Sequence, residues 1–98
     1  MLERDYQKKL ITKLKKTFPG AMILKNDSGY IQGIPDLLIL HKDKWAALEV
    51  KQNAAASHRP NQDFYIEKLK GMSYAAFISP DNEREIINEI QRTFETCR

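Results

Sequence analysis

The sequence predicts an α/β domain in which a central mixed β-sheet is flanked by helices, in the order helix, strand, strand, strand, helix, strand, helix. Three observations predict it. Apolar residues recur at helical spacing near both ends of the 98-residue chain. Residues 33–51 hold an apolar run entered by an acid, a short charged turn, and a second apolar run leaving through Glu49-Val50-Lys51, the pattern of a β-hairpin. After the hairpin a helix and a further apolar strand alternate, and such alternation covers a mixed sheet with helices.

The first helix is predicted over 3–17. Tyr6, Leu10, Ile11, Leu14 and Phe18 fall at spacings of three and four, and Pro19-Gly20 closes the run. Lys8, Lys9, Lys13, Lys15 and Lys16 occupy the other side. Glu3 precedes Leu10 by nearly two turns and so belongs to the inward stripe although charged. It either joins other acids in a cluster or simply sits favourably at a helix N-terminus.

Ala21–Lys25 reads as a short strand, and Asn26-Asp27-Ser28-Gly29 as a turn. Gly29 and Gly33 bracket Tyr30-Ile31-Gln32, and Pro35 stiffens the entry to the next strand. Within the hairpin, alternation sends Glu49 and Lys51 to one face and Val50 to the other. A tip at Lys42-Asp43 pairs residues whose numbers sum to 85, and that register sets Asp36 opposite Glu49. Two carboxylates facing each other at ~5 Å repel and destabilise the sheet. Lys51 could compensate. A divalent cation between the acids compensates better, because hard cations such as Mg²⁺ take oxygen ligands.

Residues 52–59 form a polar connection, and a helix opens near Pro60 and runs to about Lys70, with Ser57 as its expected cap. Gln62 shares a face with Tyr65, Ile66 and Leu69, so its amide heads a buried stripe and needs partners. Those partners are either a backbone group or a metal-bound water, the lysine or a phosphate. Met72–Ser79 suits a strand buried on both faces. Ile86, Ile87, Ile90, Phe94 and Cys97 stripe a last helix opened by Pro80-Asp81-Asn82.

Size and composition set outer bounds. With 30% charged and 42% hydrophobic residues, residues 1–98 are expected to make one soluble domain. The lone cysteine excludes an internal disulfide, and neither a signal region nor a membrane-length apolar stretch is found. A cytoplasmic location is expected. The net charge of +3 is uneven: residues 1–25 carry seven Lys or Arg against two acids, and 81–98 carry three against five. That asymmetry fits either a polyanionic partner or a solvated helix face.

Gly33-Ile34-Pro35-Asp36, Glu49-Val50-Lys51 and Gln62, spaced between a leading helix and a later strand, resemble the PD-(D/E)XK nuclease superfamily. Within it they look most like the small virus-type replication-repair nuclease (VRR-NUC) family, over essentially the whole chain. The resemblance implies a restriction-endonuclease-like core. It implies Asp36 and Glu49 as metal ligands, the Val50 carbonyl completing the shell, and Glu3 helping to position the metal. Lys51 would align or activate the attacking water, and Gln62 matches the glutamine that follows the lysine motif. The implied cofactor is Mg²⁺, with Mn²⁺ able to substitute, and the implied products carry 5′-phosphate and 3′-hydroxyl ends. A chain this short has no room for a separate sequence-reading module, so recognition is expected to rest on phosphate contacts and DNA shape through the α-helical lysines named above. Stand-alone relatives imply a homodimeric Holliday junction resolvase in a bacterial or phage-infected cell, paired incisions being natural to a two-fold dimer. Tyr30, Ile31 and Trp45 are interface candidates, although Trp45 fits the core better. The rivals are a nuclease of flaps, nicks or linear duplex, and a non-catalytic nucleic-acid-binding module.

Overall fold

In the computed structural model, which describes residues 1–95, the chain forms α1 (Glu3–Thr17), β1 (Met22–Lys25), β2 (Leu37–His41), β3 (Lys44–Val50), α2 (Pro60–Lys70), β4 (Tyr74–Ile78) and α3 (Glu83–Glu95). Cys97, expected on the last apolar stripe, lies outside the described residues. The four strands form one mixed sheet in the order β1-β2-β3-β4. The first two pairings are antiparallel and β3–β4 is parallel. A parallel pair needs a crossover, and α2 supplies it.

Hairpin register decides what faces what. Leu37 pairs with Leu48 and His41 with Lys44, so the sum of 85 holds along β2 and β3. The tip is Lys42-Asp43, with Lys42 at φ 59° in the left-handed region. Leu37, Ile39, Ala46, Leu48 and Val50 point to one side of the sheet, where they pack with α1 and α3 through Leu10, Leu14, Ile87 and Ile90. Ala47 points to the other side, where it packs with Ile66 of α2 and Ala75. The period of two thus carries Glu49 and Lys51 to the α2 side and buries Val50 among α1 and α3.

The helices follow from their sequences. α1 has Glu3 and Asp5 in its first turn and Lys15 and Lys16 in its last, charges that oppose the helix dipole favourably. It is tied to α3 by Glu83, which accepts from the Tyr6 hydroxyl at 2.7 Å and pairs with Lys13 at 2.6 Å. α3 buries Ile86, Ile87 and Ile90 as the periodicity predicts. Tyr74 of β4 is bonded to Glu89 of α3.

Two expectations need correction. Ser57 does not cap α2; Arg59 is the N-cap residue, and its N–H donates to Gln62 Oε1 at 3.1 Å. β4 is shorter than Met72–Ser79 because the N–H groups of Met72 and Ser73 turn back to the Leu69 carbonyl and finish α2. β4 is covered on both faces as expected, Ala75 and Phe77 packing on the α2 side and Tyr74, Ala76 and Ile78 on the side of α1 and α3. It is an edge strand, with Ala75 and Ile78 buried and Tyr74, Ala76 and Phe77 only half-buried. Among the described residues no helix is long and apolar enough to cross a membrane.

Candidate active-site cleft

The ends of β2 and β3 form the floor of an open cleft of about 690 Å³. Asp36 stands one residue before β2, and its Oδ2 accepts from the Val50 N–H at 2.8 Å. The loop before it is clamped by Asn26. That residue's side-chain amide donates to the Pro35 carbonyl at 2.8 Å, and its backbone N–H donates to the Asp36 carbonyl at 2.9 Å. Pro35 is fully buried, so the Asp36 backbone has little freedom.

Gln62, in the first turn of α2, links the charged residues of β3. Its Nε2 donates to Glu49 Oε2 at 2.9 Å, and its Oε1 accepts from Lys51 Nζ at 2.8 Å. The charges on either side set the amide's orientation, because only the oxygen can face an ammonium and only the nitrogen a carboxylate. Lys51 Nζ also donates to the Ser57 carbonyl at 3.2 Å and lies 3.9 Å from Glu49 Oε2. Glu49 is 4% exposed and Lys51 8%. The buried amide read from the sequence therefore has both a carboxylate and the lysine as partners.

Burial, then the neighbouring charge of Asp36, pushes the Glu49 carboxyl up to about 8; Lys51 opposes the rise, while a hydrogen bond with Asp36 and the charge of Glu3 add to it. A buried carboxyl beside a second carboxylate ionises only at a cost. Near neutral pH Glu49 therefore retains a proton.

The walls come from two segments. Ser28, Gly29, Gln32 and Gly33 line one side, and Ser57, Arg59 and Asn61 line the other. Gly33 joins them: it adopts φ 91°, and a Cβ there would lie 2.4 Å from that of Asn61. Glycine is required by backbone conformation and by this contact, not by a ligand. Glu3 is exposed and also lines the cleft.

The fold thus gathers Glu3, Asp36, Glu49, Lys51 and Gln62 around one cleft, with the Val50 peptide beside Asp36. It does not gather the lysines. Lys8, Lys9, Lys13, Lys15 and Lys16 are exposed on α1 and line no part of the cleft. Lys16 is about 20 Å along the helix axis from Glu3, from a rise of 1.5 Å per residue. Asn26, Arg59 and Asn61 escaped the sequence reading. Their roles arise from tertiary contacts, although Arg59 sits directly before the proline that opens a helix.

No family model and no curated protein matches the chain. The chemistry is therefore judged from its own residues. Among the described residues no group of three His, Cys, Asp or Glu side chains gathers as a metal-ligand set. Two carboxylates are present, and Mg²⁺ is commonly bound by one or two carboxylates together with waters and substrate phosphates. The donor set fits such an ion on this ground: two mutually repulsive hard oxygen donors, Glu49 buried and Asp36 half-buried, beside a hydrogen-bonded lysine.

Proposed function

We propose that the chain is a metal-dependent nuclease with a PD-(D/E)XK-type core, of the VRR-NUC kind, hydrolysing phosphodiester bonds in DNA. The finer proposal is a homodimeric Holliday junction resolvase. One observation carries the hydrolytic proposal: Asp36 and Glu49 are forced together on a cleft floor beside Lys51, at a cost that a bound cation would remove. A fold gains nothing from holding a half-buried acid against a buried one unless something sits between them.

Asp36, Glu49 and the Val50 carbonyl would hold Mg²⁺ or Mn²⁺, with Glu3 at the edge. The ion supplies charge stabilisation for the phosphate and a more acidic water as nucleophile. The chain's own residues do the rest. Val50 N–H fixes one oxygen of Asp36. Gln62 holds Glu49 and Lys51 in a constant relation, so a shift in either is felt by the other. Lys51, anchored by Gln62 and the Ser57 carbonyl, has one remaining ammonium hydrogen to direct at the nucleophile or a phosphate oxygen. Each chain has one such cleft and cuts one strand, so symmetrical incision of a four-way junction calls for two chains.

The test is incubation with a labelled four-way junction and a matched linear duplex, with Mg²⁺, Mn²⁺ or chelator, alongside Glu49→Ala. Metal-dependent paired nicks in the junction alone, lost by at least about a thousand-fold in the variant, are expected. Equal cleavage of both substrates would remove the junction preference and keep the chemistry. Binding without cleavage under either metal would reduce the chain to a non-catalytic DNA-binding module.

A further inference from the structure

A polyanion entering the cleft meets three carboxylates, Glu3, Asp36 and Glu49, against two cations, Lys51 and Arg59. The cations differ in availability. Lys51 is buried on the floor and already bonded to Gln62 and Ser57. Arg59 is exposed on the wall, and among the described residues no carboxylate pairs with its guanidinium.

Its backbone, by contrast, is fixed. The Arg59 N–H donates to the Gln62 oxygen that also receives Lys51, and its carbonyl accepts from the Gln62 N–H at 2.9 Å. Pro60 follows and restricts it further. The foot of this side chain is therefore held in register with the charged floor, while among the described residues its guanidinium donors have no acceptor. A guanidinium is always charged, and its planar fork matches two phosphate oxygens. The α1 lysines offer no comparable placement: none lines the cleft, and Lys13 is paired with Glu83.

We propose that Arg59 grips a substrate phosphate flanking the scissile one. The start of α2, rather than the lysine face of α1, is then the principal docking point for the nucleic-acid backbone. The assignment rests on the nuclease proposal and names the side chain that holds its substrate.

The test is fluorescence anisotropy of a labelled four-way DNA junction with the full chain, Ca²⁺ replacing Mg²⁺, over a series of KCl concentrations. Wild type is compared with Arg59→Ala, Arg59→Lys and the double variant Lys15→Ala/Lys16→Ala, and wild-type cleavage in Mg²⁺ and Mn²⁺ is measured in parallel. Arg59→Ala should bind about ten- to a hundred-fold more weakly at fixed salt. Its log–log salt slope should fall by about 1. Arg59→Lys should recover part of the affinity, keeping the charge without the fork, and the double lysine variant should lose less than Arg59→Ala. Thermal midpoints should not move, since the backbone bonds of residue 59 survive the substitution. Wild-type affinity in Arg59→Ala, or a larger loss in the double lysine variant, would overturn the assignment. If wild type cleaves while Arg59→Ala binds normally, the grip fails and the hydrolytic function stands. If wild type binds through Arg59 and cleaves under neither metal, the function fails and the grip stands. A wild type that binds no junction overturns both.

Discussion

Glu49 makes the site sensitive to pH. Its carboxyl is raised from 4.5 to about 8 in the folded chain, by burial first and by Asp36 second. The folded state therefore holds a proton that the unfolded state releases above pH 4.5. This group's contribution to stability without metal is greatest below that pH and falls as pH rises toward 8, where Glu49 must ionise in a buried site. In chelator, melting between pH 5 and 8 should show a loss of roughly 1–3 kcal/mol that Glu49→Gln abolishes, the variant being the more stable chain at pH 8. A wild-type midpoint independent of pH would show that Glu49 holds no such proton. Divalent-cation affinity should rise over the same range, since binding must displace that proton. At this scale the sequence was highly legible. A two-residue tip and a strand period of two were enough to set the ladder from Leu37–Leu48 to His41–Lys44, because register follows from counting, and Asp36 stands one residue before that ladder, at the end where Glu49 lies. Arg59 and Asn26 were not legible, because their significance depends on which distant residues the fold brings beside them.

Among the elements, the contact between the 26–35 loop and the start of α2 does most to shape the cleft. Neither segment is long, and each supplies one wall. Gly33 sets their separation through its contact with Asn61. Gly33→Ala should cost at least about 2 kcal/mol, combining a left-handed backbone with a clash against main-chain and side-chain atoms of Asn61. Cleavage should fall even at temperatures where the variant stays folded, because Gln62 moves with Asn61. Chemical denaturation and activity on the same sample check both effects, and a fully stable, fully active Gly33→Ala chain would refute this role. In the sequence Gly33 stood as one of two glycines bracketing Tyr30-Ile31-Gln32, and nothing there named Asn61 as its neighbour. The sequence placed α2 from Pro60 to Lys70 but misassigned its cap, since Ser57 is two residues early and its carbonyl serves Lys51 instead. It also ran β4 too long. An apolar run shows no boundary where Met72 and Ser73 leave the strand direction to close α2.

At the scale of the molecule, the described residues form a four-stranded mixed sheet covered unequally by three helices, α1 with α3 on one face and α2 alone on the other. The charged cleft lies at one end of the sheet on the α2 side, while the α1 lysines belong to the opposite layer and extend away from it. Periodicity revealed the helix faces and the charge asymmetry, but it could not relate the lysine stripe to a site built from strand ends. One measurement tests the central claim most directly: the single-turnover cleavage rate of a labelled four-way junction as a function of Mg²⁺, for wild type, Asp36→Asn and Lys51→Ala, with product ends identified. Wild type should require the metal and leave 5′-phosphate and 3′-hydroxyl ends, and each variant should be slower by at least about a thousand-fold while melting cooperatively. Cleavage that persists in chelator, or that survives in Asp36→Asn and Lys51→Ala at the wild-type rate, would contradict a nuclease built on these residues.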